Sequence, residues 1–402
     1  MTAPLKHLRV LDLGWVMVGP MSGRYLADLG ADVIKVESSQ RIDPLRTLGP
    51  FKDGKPGPER SLAYHFINAG KRSITLDISS EGGQQVVRAL ARECDVVIES
   101  FTPGVMERLG LGYETLKADN PGLIMVSTCI LGQTGPAAGT SGVGTLGAAY
   151  AGVSFLIGWP DRPPTGPYSA WTDSVAPRFV AASVLAALHR RKQTGEGCYI
   201  DVSQSEAGVQ FLLPAYFDYA ANGRVPQRAG NAPAPLRSPS GIYRCAGEDR
   251  WVAIDASGAE HWRALAERIG TPAMDPAYAT LVGRLRHREQ LEAVVEAWTS
   301  TLTDHEVERT LQSMGVPAHV LCHVDDLDAD PDLASDAYLQ PIEDLVVGSV
   351  RIRGATFDIE PSAPERARPA PRIGDSTDAI LREVAGMSPQ DISALRETGA
   401  LQ

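Results

Sequence analysis

Short apolar runs alternate with amphipathic stretches through the first half of the chain. Residues 8–13, 32–36, 73–76, 95–98 and 123–127 are compact and largely apolar, the pattern of strands buried on both faces. Gly19 and Pro20 break the chain after the first run, and Asp77 ends the third. Between the runs, 21–29, 82–94 and 113–118 carry helical periodicity. Strands separated by helices predict a parallel α/β sheet. Residues 132–167 are dense in Gly and Pro and read as loop. A helix over 174–191 follows, then a strand at 198–202 after the turn Gly195-Glu196-Gly197.

The pattern changes across 222–239, where Pro, Arg and Ala crowd together as in a linker. Beyond it lie a strand at 251–254 and helices at 261–269 and 288–302. Residues 325–371 read as irregular, with Pro331, Pro341 and a cluster from Pro361 to Pro371. Residues 377–384 and 389–398 read as closing helices. A length of 402 residues is more than one core usually serves. The expected organisation is a large Rossmann-like α/β domain over 1–225, completed by about 372–402. A smaller α+β domain over 226–325 and a linker over 326–371 make up the rest.

Charge and composition narrow the function. A formal net charge of −11 argues against a nucleic-acid footprint, so an anionic ligand needs local positive charge. Cys94, Cys129, Cys198, Cys245 and Cys322 are scattered without a C-x-x-C, and the eight histidines form no H-E-x-x-H pair. Neither a disulfide framework nor a metal site has support, and a reducing cytoplasm is the expected compartment. No apolar stretch reaches the roughly 20 residues of a membrane span, and residues 1–6 show no signal-like segment.

Four segments carry candidate chemistry. Gly142, Gly144 and Gly147 spell G-x-G-x-x-G, but the preceding predicted strand ends about fifteen residues earlier. A dinucleotide fingerprint sits directly between strand and helix, so this loop is not read as one. The turn 14–20 is better placed, since it opens a helix whose first amides could face an anion; a plain tight turn is the competing reading. After the 95–98 strand, Arg108 lies one turn into a short helix. It is either a solvated arginine or a phosphate clamp at a strand's carboxyl end, with Lys71 and Arg72 able to add charge. Asp173 stands just before the predicted helix at 174, with Pro177 in its first turn. The simple reading is an N-cap; the functional one is a carboxylate kept ionised beside oxyanion-binding amides, and the two are compatible.

Together these segments resemble the family III CoA-transferases, which include formyl-CoA and carnitine CoA-transferases. The resemblance covers nearly the whole chain: Val10-Leu11-Asp12-Leu13 with Gly19-Pro20, Gly30 through Glu37, Lys71-Arg72-Ser73-Ile74, and Pro103 through Gly110. It continues with Gly132-Gln133-Thr134-Gly135-Pro136, Thr194-Gly195-Glu196-Gly197, and Gly374 with Thr377-Asp378. It implies Asp173 as the catalytic nucleophile, and CoA contacts at Val16, Met17, Val18, Ser38, Leu76, Ser100, Phe101, Val105 and Arg108. Four positions depart from the family pattern: Met17 for Gln, Ser38 for Arg, Ser100 for Asn and Thr102 for Arg.

The implied reaction moves CoA from an acyl-CoA to a free carboxylic acid through an aspartyl mixed anhydride and an aspartyl-CoA thioester. CoA is then a substrate, no tightly bound cofactor is implied, and two chains are expected to interlock as a homodimer. The glycine-rich run of formyl-CoA transferases has no counterpart at 239–243, so a formyl/oxalate pair is not expected. Racemases of the same fold use a His-Asp pair in a loop that here reads Ser141-Gly142-Val143-Gly144-Thr145, without His. The same resemblance is compatible with intramolecular CoA transfer and with a non-catalytic CoA-binding subunit. Residues 158–164 with Trp171 look similar to family members acting on aromatic or dicarboxylic acids.

Overall fold

The computed structural model describes residues 3–231, 235–334, 338–357, 359–361 and 367–402. Six strands form one parallel sheet: β1 (Arg9–Asp12), β2 (Asp32–Glu37), β3 (Arg72–Thr75), β4 (Val96–Glu99), β5 (Ile124–Cys129) and β6 (Cys198–Ser203). Their order is β3-β2-β1-β4-β5-β6. This is the doubly wound order, which reverses direction between β1 and β4 and opens a crevice at their carboxyl ends.

The inner strands β1, β2, β4 and β5 are buried on both faces because helices cover both. Val10, Val33, Val96, Ile98, Ile124 and Val126 pack on one side with Leu26, Val180 and Val184. Their chain neighbours Leu11, Ile34, Val97 and Met125 point the other way, against Val86, Leu90, Ile380 and Leu381. The two-residue period of a strand thus divides one apolar run between two cores.

The helices of this part are α1 (Val18–Asp28), α2 (Leu62–Asn68), α3 (Glu81–Arg92), α4 (Val105–Arg108), α5 (Tyr113–Asp119), α6 (Gly144–Tyr150), α7 (Val153–Leu156), α8 (Trp171–Thr194) and α9 (Gln204–Val209). Packing divides the chain into two units. The larger contains Met1–Ile157, Pro164–Pro226 and Pro331–Gln402; the smaller contains Gly158–Pro163 and Gln227–Asp330. In the smaller unit, β7 (Ser240–Arg244), β8 (Trp251–Asp255) and β9 (Ala318–Val320) form an antiparallel sheet. Its Val252 and Ile254 pack on Leu265, Leu291, Val295 and Leu311 from the flanking helices. The larger unit also carries a hairpin of β10 (Leu339–Asp344) and β11 (Gly348–Arg353).

Several elements differ from the sequence-based expectation. Helices α6 and α7 lie within 132–167, which reads as loop, because Gly144 and Gly147 lower helix propensity while packing overrides it. The hairpin β10–β11 lies within 325–371; Pro341 speaks against a strand there, yet β10 has a partner on one side only, where a missing N–H is tolerated. Helix α8 starts at Trp171, three residues before the expected 174, so Pro177 is inside the helix rather than in its first turn. Residues 232–234 of the predicted linker, and 335–337, 358 and 362–366 of the predicted irregular segment, lie outside the described residues. Among the described residues, no helix is long and apolar enough to cross a membrane.

Candidate active site

The crevice between β1 and β4 leads to a cavity of about 160 Å³ lined entirely by the larger unit. Its walls are the turn 15–18 after β1, Ser100 and Thr102 after β4, Cys129 and Ile130 at the end of β5, and the loop 140–143. Asp173 and Gln204 complete it. This is where an open parallel sheet places its ligand.

The turn after β1 is held rigidly by buried groups. Asp12 Oδ1 accepts from the Gly14 amide at 2.9 Å, and Ser100 Oγ accepts from the Trp15 amide at 2.9 Å. Asp43 Oδ1 accepts from the Val16 amide at 3.1 Å, while Lys35 donates to the Gly14 carbonyl. These anchors keep Val16 at φ 60°, a left-handed conformation that costs a β-branched residue about 1–2 kcal/mol. Such strain persists only where the surroundings over-determine it.

Asp173 is the third residue of α8 and is only 4% exposed. It is not the N-cap: that position belongs to Ala170, which makes no side-chain cap bond. Instead, Asp173 Oδ2 accepts from the Gly144 amide of α6 at 2.9 Å, and Thr172 Oγ1 donates to the Gly144 carbonyl at 3.0 Å. Burial pushes the Asp173 carboxyl up to about 6, against the pull of its bonds to Gly144 and Gln204. Pro177, four residues on, has no N–H to give the Asp173 carbonyl.

The G-x-G-x-x-G run finds its physical reason here. A Cβ on Gly144 would lie 2.7 Å from the Asp173 nitrogen and 2.9 Å from its Cγ. A Cβ on Gly147 would lie 2.3 Å from Thr172 Oγ1. The glycines let α6 press against the first turn of α8, so their role is close helix packing around Asp173. A sequence match spanning the fold decides what kind of protein this is: the sequence model of CoA-transferase family III matches residues 5–377.

The chain belongs to CoA-transferase family III.

It is similar to the succinyl-CoA–D-citramalate CoA-transferase of Chloroflexus aurantiacus, with 33% identity over 395 residues covering 98% of this chain and 97% of the relative. It is similar to the acetyl-CoA:oxalate CoA-transferase of Acetobacter aceti, with 32% identity over 386 residues covering 95% and 96%. A crystal structure of a CAIB/BAIF family protein from Brucella suis superposes with a TM-score of 0.86 at 32% identity, covering 96% of this chain and 100% of that one. The protein is therefore an enzyme that transfers CoA between acyl-CoA thioesters and carboxylic acids.

In this CoA-transferase the residues expected to contact CoA fall into two groups. Val16, Met17, Val18 and Ser100 line the cavity with Asp173. The others lie outside its walls. The Phe101 ring stands edge-on to Trp15 at 6.3 Å, and Val105 opens α4. Arg108, the last residue of α4, is exposed and makes no ion pair among the described residues. Leu76 is 1% exposed with its side chain in the core, which leaves mainly its backbone for a ligand. The Ser38 hydroxyl donates to Gln402 Oε1 at 2.6 Å.

Two expectations are corrected. Lys71 cannot lend charge to a phosphate, because it is buried with Nζ 2.7 Å from Asp12 Oδ2, 2.7 Å from the Pro20 carbonyl and 2.8 Å from Asn68 Oδ1. Burial pushes its ammonium down to about 8, against the opposing pull of Asp12. Arg72 is likewise held by Asp32 at 2.9 Å through its Nε and by Glu383 at 3.2 Å. Sequence reasoning also missed Gln204 and the Gly144 amide. The glycine run marked the second; nothing local marked the first.

Proposed function

We propose that Asp173 is the nucleophile of this CoA-transferase. The observation that carries the reading is a buried carboxylate facing the switch-point cavity with one oxygen already held by a backbone amide. Because the Gly144 amide holds Oδ2, Oδ1 is the oxygen that attacks the thioester carbonyl. A C–O bond forms, the C–S bond breaks, and CoA leaves as thiolate from a mixed anhydride. The thiolate then attacks Asp173 Cγ, releasing the donor acid as carboxylate and leaving aspartyl-CoA. The acceptor carboxylate attacks the same carbon and displaces the thiolate. The thiolate then attacks the acceptor's acyl carbon, giving the new acyl-CoA and restoring the Asp173 carboxylate. In each tetrahedral intermediate at Cγ, charge develops on Oδ2, where the Gly144 amide already points. The raised carboxyl pKa makes the ionised oxygen more basic, and hence more nucleophilic, than an exposed aspartate.

The turn 15–18 and Ser100 receive the thioester end of CoA. Ser38, Leu76, Phe101, Val105 and Arg108 follow the crevice toward its nucleotide end, with Arg108 on a phosphate. The acceptor is a dicarboxylic acid, by likeness to the relatives named for D-citramalate and oxalate. Among the described residues lining the cavity, Asp173 and Cys129 are the titratable side chains, and no imidazole stands beside them to exchange an α-proton. That favours transfer over racemisation. Two chains assemble as an interlocked homodimer; Phe211, Tyr216, Phe217 and Tyr219, each 53–60% exposed, offer apolar surface for it. Mass-spectrometric screening of acyl-CoA donors against carboxylic acids tests the activity, and light scattering tests the dimer. Failure to form any new acyl-CoA from dicarboxylic acceptors, or a monomer at micromolar concentration, would count against these readings.

A further inference from the structure

Gln204 is 4% exposed, lines the cavity, and opens α9. Its place is fixed by the chain around it. Ser203 Oγ caps α9 by accepting from the Glu206 amide at 3.2 Å, and the Ser205 amide donates to the Ile130 carbonyl at 3.0 Å. Close packing of α9 on α8 requires Gly208, where a Cβ would lie 3.1 Å from Thr172 Cγ2. Gln204 Oε1 lies 3.4 Å from Thr172 Oγ1, whose proton goes to the nearer Gly144 carbonyl at 3.0 Å, so the carboxamide sits beside the residue that precedes Asp173. Gln204 and Asp173 are each 4% exposed and line the same cavity, and Gln204 is among the groups that draw the Asp173 carboxyl down against its burial.

We propose that Gln204 is a positioning residue of the transfer: its carboxamide donates to the Asp173 carboxylate and, with the Gly144 amide, fixes which oxygen faces the cavity through each covalent step. The inference rests on Asp173 as nucleophile. A carboxylate held by one donor can still pivot about its Cβ–Cγ bond; two donors from different helices, α6 and α9, remove that freedom. The competing explanation is that Gln204 only satisfies a buried polar slot between α8 and α9.

The acid limb of the kcat/KM profile separates the two. The Asp173 carboxylate accepts from the Gly144 amide of α6 and shares the cavity with Gln204 of α9 and Cys129 of β5. No charged side chain other than Asp173 lines the cavity among the described residues, and burial pushes Cys129 up to about 11, far from that limb. Glu99, pushed up to about 7 by burial at the end of β4, lies outside the lining and is unchanged in the variants. Losing a donor to a carboxylate disfavours its ionised form, so the limb moves to higher pH.

The test is Gln204→Met, which keeps the volume without the donor, alongside Gln204→Glu, which keeps the shape and is read if the first fails to fold. Both are expected to lower kcat about tenfold or more, with KM for the CoA donor within about twofold. Both should shift the acid limb upward, further in Gln204→Glu because a second carboxylate opposes ionisation of the first. A lowered rate with an unmoved limb, or a normal rate, overturns the proposal. Asp173→Asn is run in parallel: an inactive Asp173→Asn with a normal Gln204→Met removes Gln204 alone, whereas an active Asp173→Asn removes the nucleophile on which the inference rests.

Discussion

Replacing Asp173 by Asn should make the protein more stable at neutral pH while abolishing transfer. The carboxyl is pushed up from its ordinary 3.8 to about 6, and burial is the largest cause. The native state therefore holds the proton more tightly than the unfolded chain does. That contribution is fully present below pH 3.8 and is lost as pH rises through about 6. At about 1.4 kcal/mol per unit, the shift of roughly two units makes the ionised group cost about 3 kcal/mol at pH 7. Asparagine keeps an oxygen for the Gly144 amide and carries no charge. Urea unfolding of both proteins at steps from pH 4 to pH 7.5 reads the difference. The stability gap in favour of Asp173→Asn should widen from about pH 4 to pH 6 and then level off. Glu99, whose carboxyl is also pushed up, to about 7, contributes equally to both curves and cancels. A gap that does not change with pH would refute the claim that the fold holds this carboxylate against its own solvation.

Arg108→Ala should raise KM for the CoA donor about tenfold or more with kcat little changed, since a charge-assisted contact contributes about 1.5–3 kcal/mol; steady-state kinetics checks it, and an unchanged KM removes Arg108 from the site. Lys71→Ala should lower stability by about 3–5 kcal/mol in denaturant melts, because it leaves Asp12 buried and unpaired; a stable variant with raised KM would instead restore the phosphate role. Gly144→Ala should lose most activity, because the new methyl meets Asp173 at 2.7–2.9 Å, while Gly139→Ala, with nothing within 4 Å, should not. Equal activity in the two would show that contact with Asp173 is not what the glycine run protects.

The sheet was legible because its inner strands are buried on both faces: the 32–36 run needs only its apolar content to be read as β2, and Val33 and Ile34 then divide between two cores. The position of Asp173 was legible, but its surroundings were not. The start of α8 was hidden because Trp171 and Thr172 carry no cap signal and Pro177 suggested a first turn; the helix continues through the proline. Helix α6 was hidden by the glycines that let it pack. Lys71 and Arg72 showed that positive charge near a ligand-binding fold does not announce its partner, since Asp12 and Asp32 claim them from 59 and 40 residues away in sequence. Gln204 could not be found from its neighbours, because its meaning comes from α8 meeting α9 in space.

Covalent trapping shows which side chain carries the acyl and CoA groups. The enzyme is incubated with a donor acyl-CoA and no acceptor, quenched with borohydride or hydroxylamine, digested and mapped by mass spectrometry. Modification is expected at Asp173 in the native protein, none in Asp173→Asn, and no transfer by that variant. Modification of a different acid, or full transfer by Asp173→Asn, would contradict it.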